Sequence, residues 1–206
     1  MIKDIMNAAY VSLDMEKNEI ERLRSYLDEE SFLKAIDALV NCKSIMTVAS
    51  GSSGIAAKKF AHSLCCIEKH AMFMSPSEAV HGGLGALDKD DVMVMVSRGG
   101  KTVELLPIIS VCNKKKATLI AVTENEQSIL AKSSDIVLKL SIEKESDPLG
   151  LMATSSFIAT IALFDAILAS MIVTTDFTAE QFGVIHPGGA VGEKLNNKQE
   201  DICIKD

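Results

Sequence analysis

The segment Ser44-Ile45-Met46-Thr47-Val48-Ala49-Ser50-Gly51-Ser52-Ser53-Gly54 changes character halfway along. Its first six residues form a short, mainly apolar run of strand length, as expected for a strand covered on both faces. The next five are serine and glycine only, and apolar residues then recur at helical spacing from Ile55 to Cys66. Strand, tight loop and helix together make the opening half of a βαβ unit. Working outward, strand-like runs recur at Asp91–Ser97, Thr118–Thr123 and Ile136–Leu140, with a short one around Ala71–Ser75. Helical stretches at Thr102–Asn113 and Gln127–Lys132 separate them. Parallel strands need such crossovers, so the pattern predicts an α/β fold with a five-stranded parallel sheet.

The flanks are helical. Ile5, Ala8, Ala9, Val11, Leu13, Ile20, Leu23 and Leu27 mark one helix over 2–26, and a second runs from about Glu29 to Val40 behind Asp28 as its cap. After the last strand come helices from Met152 to about Thr174 and from Thr178 to Phe182. The turn His186-Pro187-Gly188-Gly189 and a short helix to about Leu195 follow. With no internal repeat and no Gly/Ser linker, 1–206 reads as one domain: helices to about 42, an α/β core over about 43–195, and a polar tail over 196–206.

Composition narrows the function. A net charge of −7 and one basic run, Lys114-Lys115-Lys116, do not suit tracking a phosphate backbone, so nucleic acid is not an expected partner. Aromatics make up 4%, with no tryptophan, which leaves recognition to polar groups. Five cysteines, an odd number without Cys-x-x-Cys spacing, point to reduced thiols and a cytoplasmic setting. The N-terminus has no signal-peptide core, and the longest apolar stretch, Met152–Thr175, is interrupted by Asp165 and hydroxyl residues; it reads as a buried helix, not a membrane span. Four scattered histidines offer no metal-ligand spacing, and no cofactor is implied.

In open parallel sheets, ligands bind beyond the carboxyl ends of the strands. Two loops there are alike. Ser50-Gly51-Ser52-Ser53-Gly54 follows the first long strand, and Ser97-Arg98-Gly99-Gly100-Lys101-Thr102 follows Asp91–Ser97. Glycines let a backbone approach an anion, hydroxyls donate to it, and a following helix presents unpaired amides with a positive partial charge. Neither loop fits the Walker A or the GxGxxG spacing.

Around these loops stand Glu78-Ala79-Val80-His81-Gly82-Gly83-Leu84-Gly85, Glu145-Ser146-Asp147-Pro148-Leu149-Gly150-Leu151, Thr154-Ser155-Ser156 and His186-Pro187-Gly188-Gly189-Ala190-Val191-Gly192. In these pieces, from about Ser44 to Leu195, the chain resembles the sugar isomerase (SIS) domain family, most closely its arabinose 5-phosphate isomerase branch. The resemblance implies a three-layer α/β/α sandwich of flavodoxin-like type, binding of a sugar phosphate, aldose–ketose interconversion, and a homo-oligomer, tetramer or dimer, with sites at subunit contacts. Many members of that branch carry two CBS modules after this domain, for which this chain is too short.

An aldose–ketose isomerase moves a proton between C1 and C2 through an enediol, so it needs a base, a proton shuttle and a stabiliser of the oxyanion. By resemblance the base is Glu145 and the shuttle His186, with His81 near the substrate. The phosphate falls to Gly51, Ser52, Ser53, Ser97, Gly99, Gly100 and Thr102. Three positions depart from the family pattern: Gly99 stands where the second loop usually has its second serine, and two further departures bear on turnover. Ser52 stands where the first loop usually has lysine, and Lys101 where the second usually has glutamate; Lys101 can restore the cation but not the carboxylate. The alternative reading is a phosphosugar-binding sensor without catalysis.

Overall fold

The computed structural model describes residues 1–189 together with Gly192, Lys194 and Leu195. The expected last helix to about Leu195 and the tail 196–206 fall largely or wholly outside them. Five strands, β1 (Ile45–Val48), β2 (Ala71–Phe73), β3 (Val92–Val96), β4 (Thr118–Thr123) and β5 (Ile136–Lys139), form one all-parallel sheet in the order β2-β1-β3-β4-β5. The central strands β1 and β3 are buried along their whole length, which is why they carry unbroken apolar runs in place of alternation.

Alternate side chains of the strands face two separate cores. Val92, Val94, Val96, Ile120 and Val122 pack beneath α2 (Glu29–Asn41), α3 (Gly51–Cys65) and α7 (Ser155–Thr175), where Phe60 and Phe164 stack with ring centroids 4.1 Å apart. Met93, Met95, Leu119 and Ala121 face the other way, toward α4 (Pro76–Val80), α5 (Leu106–Lys115) and α6 (Ile129–Ser133). The result is the expected three-layer sandwich. α1 (Ile2–Tyr26) lies against α7, and Asp28 caps α2 by accepting the Ser31 amide at 2.8 Å.

α7 is long and apolar enough to cross a membrane by length and composition, but Ala159, Leu163, Phe164, Ile167 and Met171 are buried in the first core. Four of the five cysteines, Cys42, Cys65, Cys66 and Cys112, are free thiols. Burial pushes the Cys112 thiol up to about 12.

β1 and β3 are neighbours in the sheet, while the chain leaves them in opposite directions: α3 covers one face on the way to β2, and α5 covers the other on the way to β4. The crevice at the carboxyl ends of β1 and β3 is therefore the switch point of the sheet, where parallel α/β folds bind ligands.

Candidate functional site

The two Ser/Gly loops meet at that crevice, because β1 and β3 pair in register from Ile45–Val92 to Val48–Met95. They are built differently. α3 begins at Gly51, four residues earlier than the apolar spacing predicts, with Ser50 as its N-cap. Gly54 makes the early start possible: a Cβ there would sit 2.8 Å from the Ala49 carbonyl oxygen, so only glycine lets the helix leave the strand at once. Ser52 and Ser53 thus lie in the first turn of a 15-residue helix, beside amides that have no partner within it.

The second loop closes on itself. Ser97 Oγ and Thr102 Oγ1 share a hydrogen bond of 2.8 Å, and the Gly100 amide donates to both Ser97 Oγ (3.1 Å) and the Ser97 carbonyl (3.0 Å). Gly100 has φ +64°, and a Cβ there would lie 2.0 Å from Ser128 Oγ. Here α5 starts at Leu106, four residues later than expected, because Thr102 is not helical and a 3-10 turn, Val103–Leu105, intervenes before Pro107. Gly99 and Lys101 are exposed on the loop's outer side.

Glu145 is buried, 6% exposed, and both its oxygens are engaged. Oε1 accepts from Arg98 Nη1 at 2.9 Å; Oε2 accepts from the amides of Thr154 (2.9 Å) and Ser156 (3.1 Å) and from Thr154 Oγ1 (3.2 Å). Burial pushes this carboxyl up, but the donors on Ser156 and Thr154 outweigh it and hold the group below the usual glutamate range. Glu145 therefore caps the start of α7 as a carboxylate, and Arg98, whose Nε reaches Glu124 at 2.7 Å, ties the second loop to it. Next to it, Asp147 accepts the amides of Leu149, Leu151 and Met152, which winds the Pro148–Met152 loop into shape. Asp before Pro-x-Gly is a turn signal that would have given this role to Asp147 from the sequence.

Two small clefts open at this end. One of about 20 Å³ lies between Ser52, Ser53, Arg98 and Ser156; the other, of about 460 Å³, lies beyond Ser50 and Gly51 toward Ser75 and Ser77. His81 follows α4 on the exposed surface, and neither it nor Lys101 lines either cleft. Among the described residues no group of three or more His, Cys, Asp or Glu side chains is placed to hold a metal ion.

His186 is not brought to this crevice. α7 starts beside Glu145 and runs for 21 residues, about 30 Å. α8 (Ala179–Ile185) then packs at the far end, where Gln181 Nε2 reaches Glu68 Oε2 at 3.3 Å, beyond the end of α3. His186 stacks on Phe182 there, with Nδ1 2.9 Å from the Phe182 carbonyl oxygen. A carbonyl only accepts, so Nδ1 carries the proton of that bond, and among the described residues Nε2 has no hydrogen-bond partner.

Known proteins share this architecture. The chain is 34% identical over 200 residues to the arabinose 5-phosphate isomerase KdsD of Pseudomonas aeruginosa, covering 97% of this chain and 61% of that protein. The Yersinia pestis protein of the same name is 33% identical with the same coverage, so the chain spans only about three fifths of the length of these curated relatives. A candidate sugar-phosphate isomerase from Listeria monocytogenes superimposes with a TM-score of 0.88 at 43% identity, covering 90% of this chain and 98% of that one. An Escherichia coli CFT073 protein solved in complex with arabinose 5-phosphate superimposes with a TM-score of 0.85 at 29% identity and the same coverage. The SIS domain model matches residues 38–170, from the end of α2 to the last turns of α7. By its sheet, its crevice and this match, the chain belongs to the SIS domain family.

Proposed function

We propose that this chain binds a sugar phosphate at the β1/β3 crevice and interconverts its aldose and ketose forms, as arabinose 5-phosphate isomerases do with arabinose 5-phosphate and ribulose 5-phosphate. The observation that carries the reading is the meeting of two hydroxyl- and amide-bearing loops at the switch point of the sheet. The phosphate is held by the free amides of Gly51, Ser52 and Ser53, the two serine hydroxyls, and the rim formed by Ser97, Gly99, Gly100 and Thr102. The sugar then lies outward of the loops, where C1 and C2 meet the proton-transferring groups.

His186 takes part through a second copy of the chain. Its own crevice is the length of α7 away, so a neighbouring protomer supplies the imidazole in a homo-oligomer. The apolar surface is suited to that contact. Ile2, Ile5, Met6 and Tyr10 stand exposed along α1, and Leu149 and Leu151, beside the crevice, are 76% and 81% exposed.

The test is purified protein with a panel of aldose and ketose phosphates, including arabinose 5-phosphate and ribulose 5-phosphate, in deuterated water, with C2 proton exchange followed by NMR. Exchange lost in His186→Ala and in Ser53→Asp, and restored on mixing the two variants, supports the isomerase and the shared site. Ligand-induced shifts with no exchange for any sugar phosphate would leave the second reading, a sensor. That reading is favoured by the engagement of Glu145, whose two oxygens already accept from Arg98, Thr154 and Ser156.

A further inference from the structure

Beside the His186 imidazole of a neighbouring protomer, the isomerase reading calls for a carboxylate free to take a proton from carbon, and Glu145 is not free. Its oxygens hold Arg98 and the start of α7, and its ionised form is stabilised by those same donors, which weakens it as a base. Ser52 and Lys101 remove the lysine and glutamate that the family pattern would place in the loops. The larger cleft at the same end supplies both kinds of group from other positions.

That cleft, about 460 Å³, is an open groove with room to seat a small ligand. It is lined by Ser50, Gly51, Ser75 and Ser77, and among the described residues its only ionisable lining groups are Lys58 and Glu104. Lys58 lies seven residues after Gly51 on α3, with Ile55 between, and that i, i+4, i+7 spacing sets all three on one helix face, toward the cleft. Glu104 lies on the 3-10 turn that follows the second loop, so the cleft is bounded by what comes after each of the two loops. Neither side chain is spent. Among the described residues, Lys58 and Glu104 make no side-chain hydrogen bond or ion pair, whereas the adjacent Lys59 pairs with Asp165, and both Lys58 and Glu104 are exposed.

We infer that Glu104 and Lys58 are the catalytic carboxylate and cation of this chain, relocated from the loops to the adjacent cleft. This inference rests on the isomerase reading. The phosphate sits at the amides of Gly51, Ser52 and Ser53, and the sugar extends over Ser50 into the cleft. The Glu104 carboxylate takes the C2 proton of the aldose; the C2–H electron pair becomes the C1–C2 double bond, and the carbonyl electrons move onto O1, where the Lys58 ammonium neutralises them. The same carboxylic acid returns its proton to C1 while the O2 hydroxyl proton passes to O1. The C2–O2 bond becomes the ketose carbonyl, with no co-reactant and no net change in protons.

The experiment uses the full chain and its substrate from the panel, with arabinose 5-phosphate as the first probe. Glu104→Gln is expected to lower kcat at least about 100-fold with KM changed less than about threefold, and Glu104→Asp to recover part of the loss. Lys58→Met is expected to lower kcat about 10-fold or more. Protection against thermal unfolding by inorganic phosphate should be unchanged in all three, since the phosphate loops are untouched. Glu104→Gln retaining kcat within about threefold, in a wild-type background that exchanges the C2 proton, would overturn this assignment and leave the isomerase standing. A wild type that is protected by phosphate yet exchanges no C2 proton with any sugar phosphate would overturn both.

Discussion

The two loops at the crevice share a composition and differ in every structural respect that matters. The first is the opening turn of a long helix, held by one close approach at Gly54, with its serine hydroxyls and first amides uncommitted among the described residues. The second is a closed ring of internal hydrogen bonds packed against Ser128 and Thr123, with its hydroxyls bonded to each other. In the proposed function the first is the main receptor for the phosphate, while the second rims it and is above all a frame that fixes where Arg98 and Glu104 stand. A substitution in the first should therefore change binding, and one in the second should change stability.

The contrast breaks most directly at Gly100. Adding a methyl group there meets both a positive φ and a Ser128 oxygen at 2.0 Å, so Gly100→Ala should cost about 3 kcal/mol in urea unfolding. Gly99→Ala, with nothing closer than Lys101 Cγ at 4.0 Å, should cost less than about 0.5 kcal/mol. Equal effects at the two glycines would mean that the ring is not the rigid element.

Next in size is the clamp between the second loop and α7. Glu145→Gln removes the charge that four donors share and should cost about 1–3 kcal/mol, a range that allows for the partial exposure of Arg98. The pH dependence has a definite sign. The folded-state carboxyl sits below its unfolded value, so near that value, about 4.3, the unfolded chain binds more protons. The contribution is fully present above it and is lost as pH falls through the folded value. The gap between wild type and Glu145→Gln should therefore be flat at neutrality and close on acidification; a gap that persists in acid would assign it to packing instead of charge.

Ser97→Ala, which opens the ring by one hydroxyl, should cost about 1 kcal/mol of stability. Ser52→Ala should cost under about 0.5 kcal/mol and weaken phosphate binding about threefold to tenfold by calorimetry, the smallest effect on folding and the clearest on the ligand. Stability and binding moving together at Ser52 would remove the distinction between receptor and frame.

Much of this was legible before any coordinates. Unbroken apolar runs of about four to six residues have room for one strand each, and their alternation with helical spacing left only a parallel sheet with two covered faces. Asp28 and the Ser/Gly loops were readable for the same reason: turn and cap chemistry acts within a few residues along the chain. Even there, the two helix starts are displaced from their expected positions in opposite directions. α3 runs back to Gly51 because a close contact with Ala49 needs glycine, and α5 waits until Leu106 because the loop closes on itself first.

What lay beyond the sequence depended on distance through space. His186 and Glu145 both belong to matching motifs, yet the length of α7 sets them at opposite ends of one protomer, and no local pattern carries that information. The engagement of Glu145 depends on Arg98, 47 residues away, and on the start of a helix 11 residues on. Lys58 and Glu104 stand 46 positions apart and share a cleft only because β1 and β3 lie side by side. Local propensity and periodicity determined the elements and the two loops; which charges are spent, which remain free and which face a common space is a property of strand order, and only the tertiary structure decides it.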